Sequence, residues 1–285
     1  MSVNNQVALV TGAGRGIGRA IALRLAQDGM KVAIVSRSAA ELAETNTQSG
    51  GKMLVLVGDV ANRDDVMRIV RETEAKLGPI DLMVNNAGTT EPREAPLWES
   101  EIDGWWRVME VNVKGPMMFM HAVLGSMVKR NSGRVVNIGS LRAVTAIPVQ
   151  TAHGASKAAM ARLTHTVNTS LAGTDVHIFE LSPGRVLTEL VKASSAASVV
   201  AKASADSWST PEQVAGTVSE IAAGGLDALS GRFLHARDDV SVMKARAAEI
   251  VANDGRVLRF SMAYEGDPMR YPGEAPRRNQ EQIDG

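Results

Sequence analysis

Cysteine is missing from all 285 residues of the chain. Its absence excludes disulfide bonds, thiolate nucleophiles and cysteine-ligated metal sites, and it fits a cytoplasmic enzyme. Net charge is missing as well, because 31 acidic residues balance 31 basic ones. The composition therefore gives no electrostatic reason to expect nucleic acid or a membrane surface as a partner. No hydrophobic run approaches the length needed to span a bilayer.

Leader and metal-binding patterns are also missing. Residues 1–5 lack the basic and apolar pattern of a secretory signal, so none is expected. We predict no metal site, because four histidines show no common ligand spacing: His121, His165, His177 and His235.

The chain does have enough hydrophobic residues, 45%, to bury a full core. The length fits one large domain, which we place at residues 1–235. Residues 236–285 are expected to form a helix and an arm that pack on the same domain or on a neighbouring subunit.

Apolar runs and helical patterns alternate along most of the chain. The apolar runs predict buried parallel strands at 6–11, 31–36, 52–57, 81–86, 134–139, 175–181 and 232–234. Helical patterns lie between them at 17–28, 38–48, 62–77, 100–129, 154–172 and 211–223. This alternation predicts an α/β fold in three layers, a doubly wound parallel sheet with helices on both faces. Ligands of such folds bind beyond the carboxyl ends of the strands.

The segment Thr11–Gly18, T-G-A-G-R-G-I-G, joins the first strand to the first helix. Gly12 can adopt backbone angles that are closed to other residues. Gly16 and Gly18, on either side of Ile17, leave room for a pyrophosphate beside the amides of a helix N-terminus. A strand, a glycine turn and a helix in this order predict a dinucleotide site. The alternative is a turn that only connects the two elements.

The end of the second strand is expected to meet the adenosine ribose. An acid there binds the 2′-hydroxyl, whereas an arginine favours a 2′-phosphate. Ser36 and Arg37 occupy this position, and Arg15 in the glycine turn could reach the same phosphate, so we predict NADP(H) rather than NAD(H). A solvated side chain is the alternative for Arg37.

Two further strand ends carry candidate cofactor residues. After the third strand, Asp59 and Val60 are predicted to contact adenine, or else Asp59 caps the helix that begins near residue 62. After the fourth strand comes the sequence N-A-G, residues Asn86, Ala87 and Gly88. It is predicted to form the floor under the adenosine ribose. An equally open alternative is that it braces the central sheet.

Together with the motifs that follow, these segments resemble the short-chain dehydrogenase/reductase family over residues 5–235. The resemblance implies a Rossmann domain, usually in a homotetramer or dimer, that transfers hydride between a nicotinamide and a carbonyl or alcohol. It assigns Ser140, at the end of the fifth strand, to orienting the substrate, with a capping hydroxyl as the alternative. It assigns Asn112 to holding a water in a proton relay, with a satisfied buried amide as the alternative.

The same resemblance assigns the remaining motif residues. Lys157 binds the nicotinamide ribose; the alternative is a solvated lysine on a helix. Pro183 and Gly184 turn the chain after the sixth strand. Val186 and Thr188 then meet the nicotinamide carboxamide, with core packing as the alternative for Val186.

The sequence departs from the family at the catalytic acid. The family has a tyrosine four residues before the lysine, and position 153 here is histidine. The Lys157 cation disfavours the imidazolium form, so we expect a mostly neutral ring near neutral pH.

Four interpretations of His153 stay open. It replaces the tyrosine as proton donor in carbonyl reduction, or the substrate is an imine that carries its own charge. Alternatively, it is the base of a non-redox isomerisation, dehydration or epimerisation, or the site is silent and the protein is an assembly partner. An engineered replacement of tyrosine is also compatible with the sequence. We predict an NADP(H)-dependent oxidoreductase acting on a carbonyl or imine of a small organic substrate, with a site made of Ser140, His153, Lys157 and Asn112.

Overall fold

A computed structural model of the chain describes residues 3–186 and 208–259. They contain seven parallel strands: β1 (Val7–Thr11), β2 (Lys31–Ser36), β3 (Leu54–Val57), β4 (Ile80–Asn85), β5 (Gly133–Ile138), β6 (Val176–Ser182) and β7 (Phe233–His235). The strands form one sheet in the order β3-β2-β1-β4-β5-β6-β7. This confirms the predicted doubly wound fold. The order reverses between β1 and β4, and sheets of this kind bind ligands in the crevice at such a reversal.

Helices cover both faces of the sheet, because side chains on both sides of the strands are apolar. They are α1 (Gly16–Gln27), α2 (Ala39–Gln48), α3 (Arg63–Leu77), α4 (Ile102–Met109), α5 (Gly115–Arg130), α6 (Thr151–Ser170) and α7 (Pro211–Ala222). Phe179 is fully buried in the core that contains residues of α1 and α7. Phe119 is fully buried in the opposite core, with residues of α3 and α6. Each such side chain contributes about 1.5–3 kcal/mol of transfer free energy on burial.

The helix predicted over 100–129 is present as one continuous helical segment, residues 102–130, but it is not α-helical throughout. A π-helical turn, Glu110–Lys114, separates α4 from α5 and contains Asn112. The polar amide does bond backbone, as expected of such a residue, but it bonds Thr89 on another segment. Single π turns inside helices often occur at functional sites.

Two short helices follow the sheet, α8 (Val240–Ala245) and α9 (Ala247–Ala252). Met243 and Ala247 are buried in the same core as α1 and α7. The described part of the C-terminal extension therefore packs on the sheet domain, and the predicted arm lies mostly outside the described residues. Among the helices described, none is long and apolar enough to cross a membrane.

Candidate active site

A cleft of about 740 Å³ lies at the carboxyl ends of the strands. It brings together the residues predicted to bind the cofactor or the substrate: Gly12, Arg15, Gly16, Ile17, Gly18, Arg37, Asp59, Val60, Asn86, Ala87, Gly88, Ser140, His153, Lys157, Pro183, Gly184 and Val186. Two predicted residues are not in its lining. Asn112 is buried and bonded to Thr89, which does line the cleft, and Thr188 lies outside the described residues.

The glycine turn approaches the end of β4 closely. Gly12 has a φ of +65°, in the region that favours glycine. A Cβ atom on Gly18 would overlap the carbonyl oxygen of Gly12 and the side-chain nitrogen of Asn86. The Asn86 side chain donates to the carbonyl oxygens of Thr11 at 2.9 Å and Gly12 at 3.2 Å. Asn86 thus braces the turn, and its contact with a ribose stays a prediction.

Helix α1 begins without a side-chain cap. Its N-cap residue is Arg15, whose side chain accepts no hydrogen bond from the first turn. By contrast, α2 and α3 are capped by the side chains of Ser38 and Asn62. The first N–H groups of a helix need external acceptors and lie at the positive end of its dipole. The start of α1 therefore fits an anion such as a diphosphate.

The end of the cleft that follows β2 carries charges of both signs. Arg37 is exposed in the lining, and the Arg15 guanidinium lies 3.6 Å from the carboxylate of Glu41. Glu41, in the first turn of α2, also lines the cleft and was not found from the sequence. A helix-capping pattern at Ser38 is enough to explain an acid at this position, so sequence reasoning did not place Glu41 in the cleft.

Asp59 does not cap α3, so that alternative is wrong. Asn62 stands at the N-cap and accepts from the backbone N–H groups of Asp64 and Asp65. The Asp59 carboxylate accepts from the N–H of Ala61 at 2.9 Å and from the guanidinium of Arg107 at 2.5 Å. Arg107 reaches the cleft from α4, a contact that sequence spacing does not reveal. Contact between Asp59 and adenine stays a prediction.

Ser140 both caps a turn and faces the cleft. Its hydroxyl oxygen accepts from the N–H of Arg142 at 3.2 Å and starts a short 3-10 turn. This is the capping role named as the alternative. The hydroxyl hydrogen is not used in that bond, so the same side chain can donate to a substrate.

His153 lies in the first turn of α6, partly buried in the cleft wall. Its Nδ1 is 3.4 Å from the carbonyl oxygen of Thr89. Because a carbonyl only accepts, this contact assigns the ring hydrogen to Nδ1 and leaves Nε2 as a lone-pair acceptor. Burial, and then the charge of Lys157, lower the pKa of His153 from 6.5 to about 4. The ring is neutral as expected, but burial rather than Lys157 is the main cause.

Lys157 follows one helical turn later and is buried rather than solvated. Its Nζ donates to the carbonyl oxygen of Ile138 at 2.7 Å, which directs the side chain to the end of β5. Burial lowers the pKa of Lys157, whereas the charge of Glu180 acts in the opposite direction.

The fold agrees with the similarity of the chain to known proteins. The sequence profile of the family described as short chain dehydrogenase matches residues 6–198. The chain belongs to the short-chain dehydrogenase family. Enzymes of this family use NAD(P)(H) and act on small molecules.

Individual relatives of this dehydrogenase cover different shares of it. A short chain dehydrogenase of Pseudocercospora fijiensis is 39% identical over 66% of the chain, which spans 62% of that protein. A 3-oxoacyl-[acyl-carrier-protein] reductase of Synechocystis is 35% identical over 76% of the chain and 89% of that protein. A short chain dehydrogenase of Monascus purpureus is 33% identical over 88% of the chain and 87% of that protein.

Glu91 holds the start of α6 in this dehydrogenase. It is 7% exposed, and its Oε1 accepts from the N–H groups of Ala152 at 2.6 Å and His153 at 3.1 Å. Its Oε2 accepts from the hydroxyl of Thr90 at 2.8 Å. A carboxylate at this end of a helix satisfies two N–H groups and complements the helix dipole. Sequence reasoning missed Glu91, because the acid and the helix it caps are about sixty residues apart.

Asn112 acts on the same loop of the dehydrogenase. Its Oδ1 accepts from the N–H of Thr89 at 2.8 Å, and its Nδ2 donates to the carbonyl of Thr89 at 2.9 Å and to the hydroxyl of Ser156 at 3.0 Å. The side chain therefore fixes the carbonyl that His153 contacts. The role as a satisfied buried amide is observed, and support of a water stays a prediction.

The far end of the cleft is formed by the turn after β6. Gly184 has a φ of +71°. Val186 is 3% exposed and forms a parallel bridge with Ser209, which matches the packing alternative. Its contact with the nicotinamide stays a prediction. Across residues 3–186 and 208–259, there is no cluster of side chains that could hold a metal ion.

Proposed function

We propose that this dehydrogenase is an NADP(H)-dependent oxidoreductase. It transfers hydride between the nicotinamide and a carbonyl or imine of a small organic substrate, and His153 handles the proton in the place of the family's tyrosine. The observation that carries the proposal is one cleft that joins the glycine turn to Ser140, His153 and Lys157. A relative named as a 3-oxoacyl-[acyl-carrier-protein] reductase supports a carbonyl as one acceptor class.

The residues of the cleft suit a phosphorylated nicotinamide dinucleotide. The uncapped start of α1 and the bare backbone at Gly18 would hold the diphosphate. Arg37 and Arg15 would hold a 2′-phosphate, because guanidinium groups bind phosphate through paired N–H donors. Lys157 would donate to the nicotinamide ribose. When bound, the nicotinamide supplies or accepts the hydride.

The protonation state of His153 favours a substrate that brings its own hydrogen. With its hydrogen on Nδ1, His153 presents Nε2 as an acceptor to the N–H of an iminium or the O–H of an alcohol. A ring with a pKa of about 4 carries no second hydrogen to give to the oxygen of a ketone near neutral pH. General acid catalysis contributes about 10²–10⁴-fold, so ketone reduction is expected to be slow but measurable. Ser140 would donate to the electrophile and orient it.

A substrate panel tests this proposal. Purified protein is mixed with NADPH and either ketones or cyclic imines, or with NADP⁺ and either alcohols or amines, and nicotinamide absorbance is followed. We expect faster turnover of imines and amines than of ketones. Absence of turnover with every class would contradict the proposal and favour the isomerase or the silent partner.

Replacing His153 separates its own chemistry from that of the family. His153→Tyr introduces a phenol one turn before Lys157, and we expect ketone reduction to rise by about tenfold or more. His153→Phe fills similar space without a polar group and serves as the control. Equal ketone rates in the two variants would show that the phenol does not restore an acid.

We also propose that the protein forms a homo-oligomer. Trp98 lies just before α4 and is 85% exposed, and Trp106 lies within α4 and is 57% exposed. Large exposed apolar side chains mark contact surfaces when they cluster. Light scattering on purified protein measures the mass in solution. A monomeric mass at micromolar concentration would contradict this proposal.

A further inference from the structure

A buried acid, Glu180, lies beside the proposed site and has no part in the mechanism above. It is 2% exposed near the end of β6. Its Oε2 accepts from the hydroxyl of Thr164 on α6 at 3.0 Å. Its Oε1 is also buried and has no hydrogen-bond partner among the described residues. Burial of an unpaired carboxylate costs several kcal/mol, so a charged partner is required if Glu180 is to ionise.

Three hydrogen bonds lead toward this carboxylate across the sheet. The amide of Asn85 donates to the oxygen of Asn137 at 2.8 Å, and the amide of Asn137 donates to Thr164 at 2.9 Å. Thr164 then donates to Glu180. Asn85 pairs with Asn137, and Asn137 with Glu180, in the register of the three neighbouring strands. Because each of these three hydrogen bonds is donated in the direction of Glu180, the series favours the ionised carboxylate.

The charge of Lys157 acts on Glu180 without a direct hydrogen bond between the two groups. Lys157 lies two helical turns before Thr164 on α6, and its Nζ bonds the carbonyl of Ile138, which pairs in register with Leu181, the neighbour of Glu180. Gly139 makes room for the acid, because a Cβ there would overlap Oε1 of Glu180. The carboxylate and the ammonium thus occupy one buried region between β5, β6 and α6.

Other charged groups stand farther along a separate cavity of about 360 Å³ that Glu180 also lines. They are His165 from α6, His235 from β7, and Asp238 and Arg256 from the segments that follow. In the described chain none of them hydrogen bonds Glu180. Burial raises the pKa of Glu180 to about 7, although the charge of Lys157 and the bond from Thr164 act to lower it.

We propose that Glu180 is a positioning residue that acts through Lys157: the ionised carboxylate keeps the lysine protonated below the cofactor cleft, and protonation of Glu180 weakens that hold. The proposal rests on the proposed function only for what Lys157 does toward the nucleotide. The charge of Lys157 also lowers the pKa of His153, so a change in the ionisation of Glu180 is expected to affect both Lys157 and His153.

Glu180→Gln tests the proposal without nucleotide. The amide oxygen can still accept from Thr164, whereas the charge is lost and the other carboxylate oxygen becomes an NH2 group. The ionisation of Lys157 is followed through its rate of modification by an amine-reactive reagent from about pH 6 to about pH 10, with peptide mass mapping. We expect the Lys157 pKa to fall by about one pH unit or more in the variant, because its counter-charge is gone.

Glu91→Gln is the matched control, since Glu91 is another buried acid at α6 that bonds the backbone rather than facing Lys157. It is expected to leave the Lys157 titration unchanged. An unchanged titration in Glu180→Gln would overturn the proposal. Since no step uses NADP(H), this outcome is independent of whether the proposed function is correct.

Infrared difference spectra of the wild-type protein give a second measurement if Glu180→Gln does not fold. A protonated buried carboxyl band is expected to appear as the pH falls through neutrality. In Thr164→Val the same band is expected to appear at higher pH, because the carboxylate loses its hydrogen-bond donor. A band that keeps its midpoint in Thr164→Val, or the absence of any such band, would overturn the proposal.

Discussion

The side of the cleft that we propose for the nucleotide is built largely from backbone, whereas the side proposed for the substrate is built from buried side chains. At the glycine turn, the close approach of Gly12, Gly18 and Asn86 leaves a helix start with open N–H groups. On the other side, the N–H of His153 bonds the buried carboxylate of Glu91, and the charge of the buried Glu180 acts on Lys157. The first arrangement needs only glycine at fixed positions. The second needs contacts between elements that are distant in sequence, and its properties depend on pH.

The largest expected effect comes from a single methyl group on the backbone side. Gly18→Ala places a Cβ against the carbonyl of Gly12 and the amide of Asn86. We expect a loss of about 1–3 kcal/mol of unfolding free energy and nucleotide affinity at least about 100-fold weaker, which corresponds to about 2.7 kcal/mol. Urea unfolding and fluorescence titration with NADPH measure the two effects.

Gly125→Ala is the matched control for that substitution. Gly125 is an exposed residue inside α5, and a Cβ there meets no atom within 4 Å. Alanine is favoured over glycine in a helix by about 1 kcal/mol, so the control should be as stable as the wild type or more stable. Loss of nucleotide affinity in the control, or its retention in Gly18→Ala, would show that the turn does not require bare backbone.

On the side of the cleft that is built from side chains, His153 should make the free energy of unfolding depend on pH. Its pKa is about 4 in the folded protein and 6.5 when unperturbed, so the unfolded chain binds the proton first as the pH falls. Stability therefore falls between about pH 6.5 and about pH 4, by about 2 kcal/mol at about pH 4.5. In His153→Gln this contribution is absent. Urea midpoints of both proteins at about pH 7 and pH 4.5 measure it, and equal losses would contradict a buried neutral ring.

Glu91 should matter through its oxygen more than through its charge. Glu91→Ala leaves the N–H groups of Ala152 and His153 without acceptors, and we expect a loss of about 1–3 kcal/mol of stability. Glu91→Gln keeps one acceptor for these N–H groups; it loses the interaction with the helix dipole, about 0.3–1 kcal/mol, and the acceptor for the Thr90 hydroxyl. Thermal unfolding distinguishes the variants. If both lose the same amount, charge rather than hydrogen bonding holds the helix start.

An effect on nucleotide affinity smaller than that of Gly18→Ala is expected at the end of the cleft that we propose for adenosine. Arg37 is exposed, and Arg37→Ala should weaken NADPH binding by about tenfold, or about 1.4 kcal/mol, and leave NADH binding unchanged. Glu41→Gln should act in the opposite direction on NADPH, because its carboxylate lies near Arg15 in the cleft lining. Parallel titrations with NADPH and NADH measure the ratio of the two affinities in each variant. A change in NADH affinity equal to that in NADPH affinity would contradict a 2′-phosphate contact.

The same contrast explains what could be predicted from the sequence. Strand and helix periods predicted the order of elements, and the glycine spacing predicted the turn before α1, since these depend on local sequence. The residues of the substrate side, such as Ser140 and Lys157, were assigned by the resemblance to the family rather than by spacing alone. The interruption of the predicted helix at Glu110–Lys114 could not be predicted, because the turn is set by the bonds of Asn112 to Thr89 and Ser156 on other segments. Glu91 was missed for the same reason.

Glu180 is a different case, because a sequence signal was present. It is a lone acid within the apolar run of β6, V-H-I-F-E-L-S, and a charged residue inside a buried strand needs a partner. The partner that we propose, Lys157, depends on the packing of α6 against β5 and β6 and could not be read from spacing. Pattern analysis thus identifies an anomalous residue, whereas its role requires the fold.

Calorimetric titration of the purified protein with NADPH, NADP⁺, NADH and NAD⁺ tests most directly whether the cleft is a nicotinamide site. We predict saturable binding with one site per chain, tighter for the phosphorylated nucleotides, and no detectable heat in Gly18→Ala. Absence of binding heat for all four nucleotides in the wild-type protein would contradict both the cofactor site and the oxidoreductase function proposed for it.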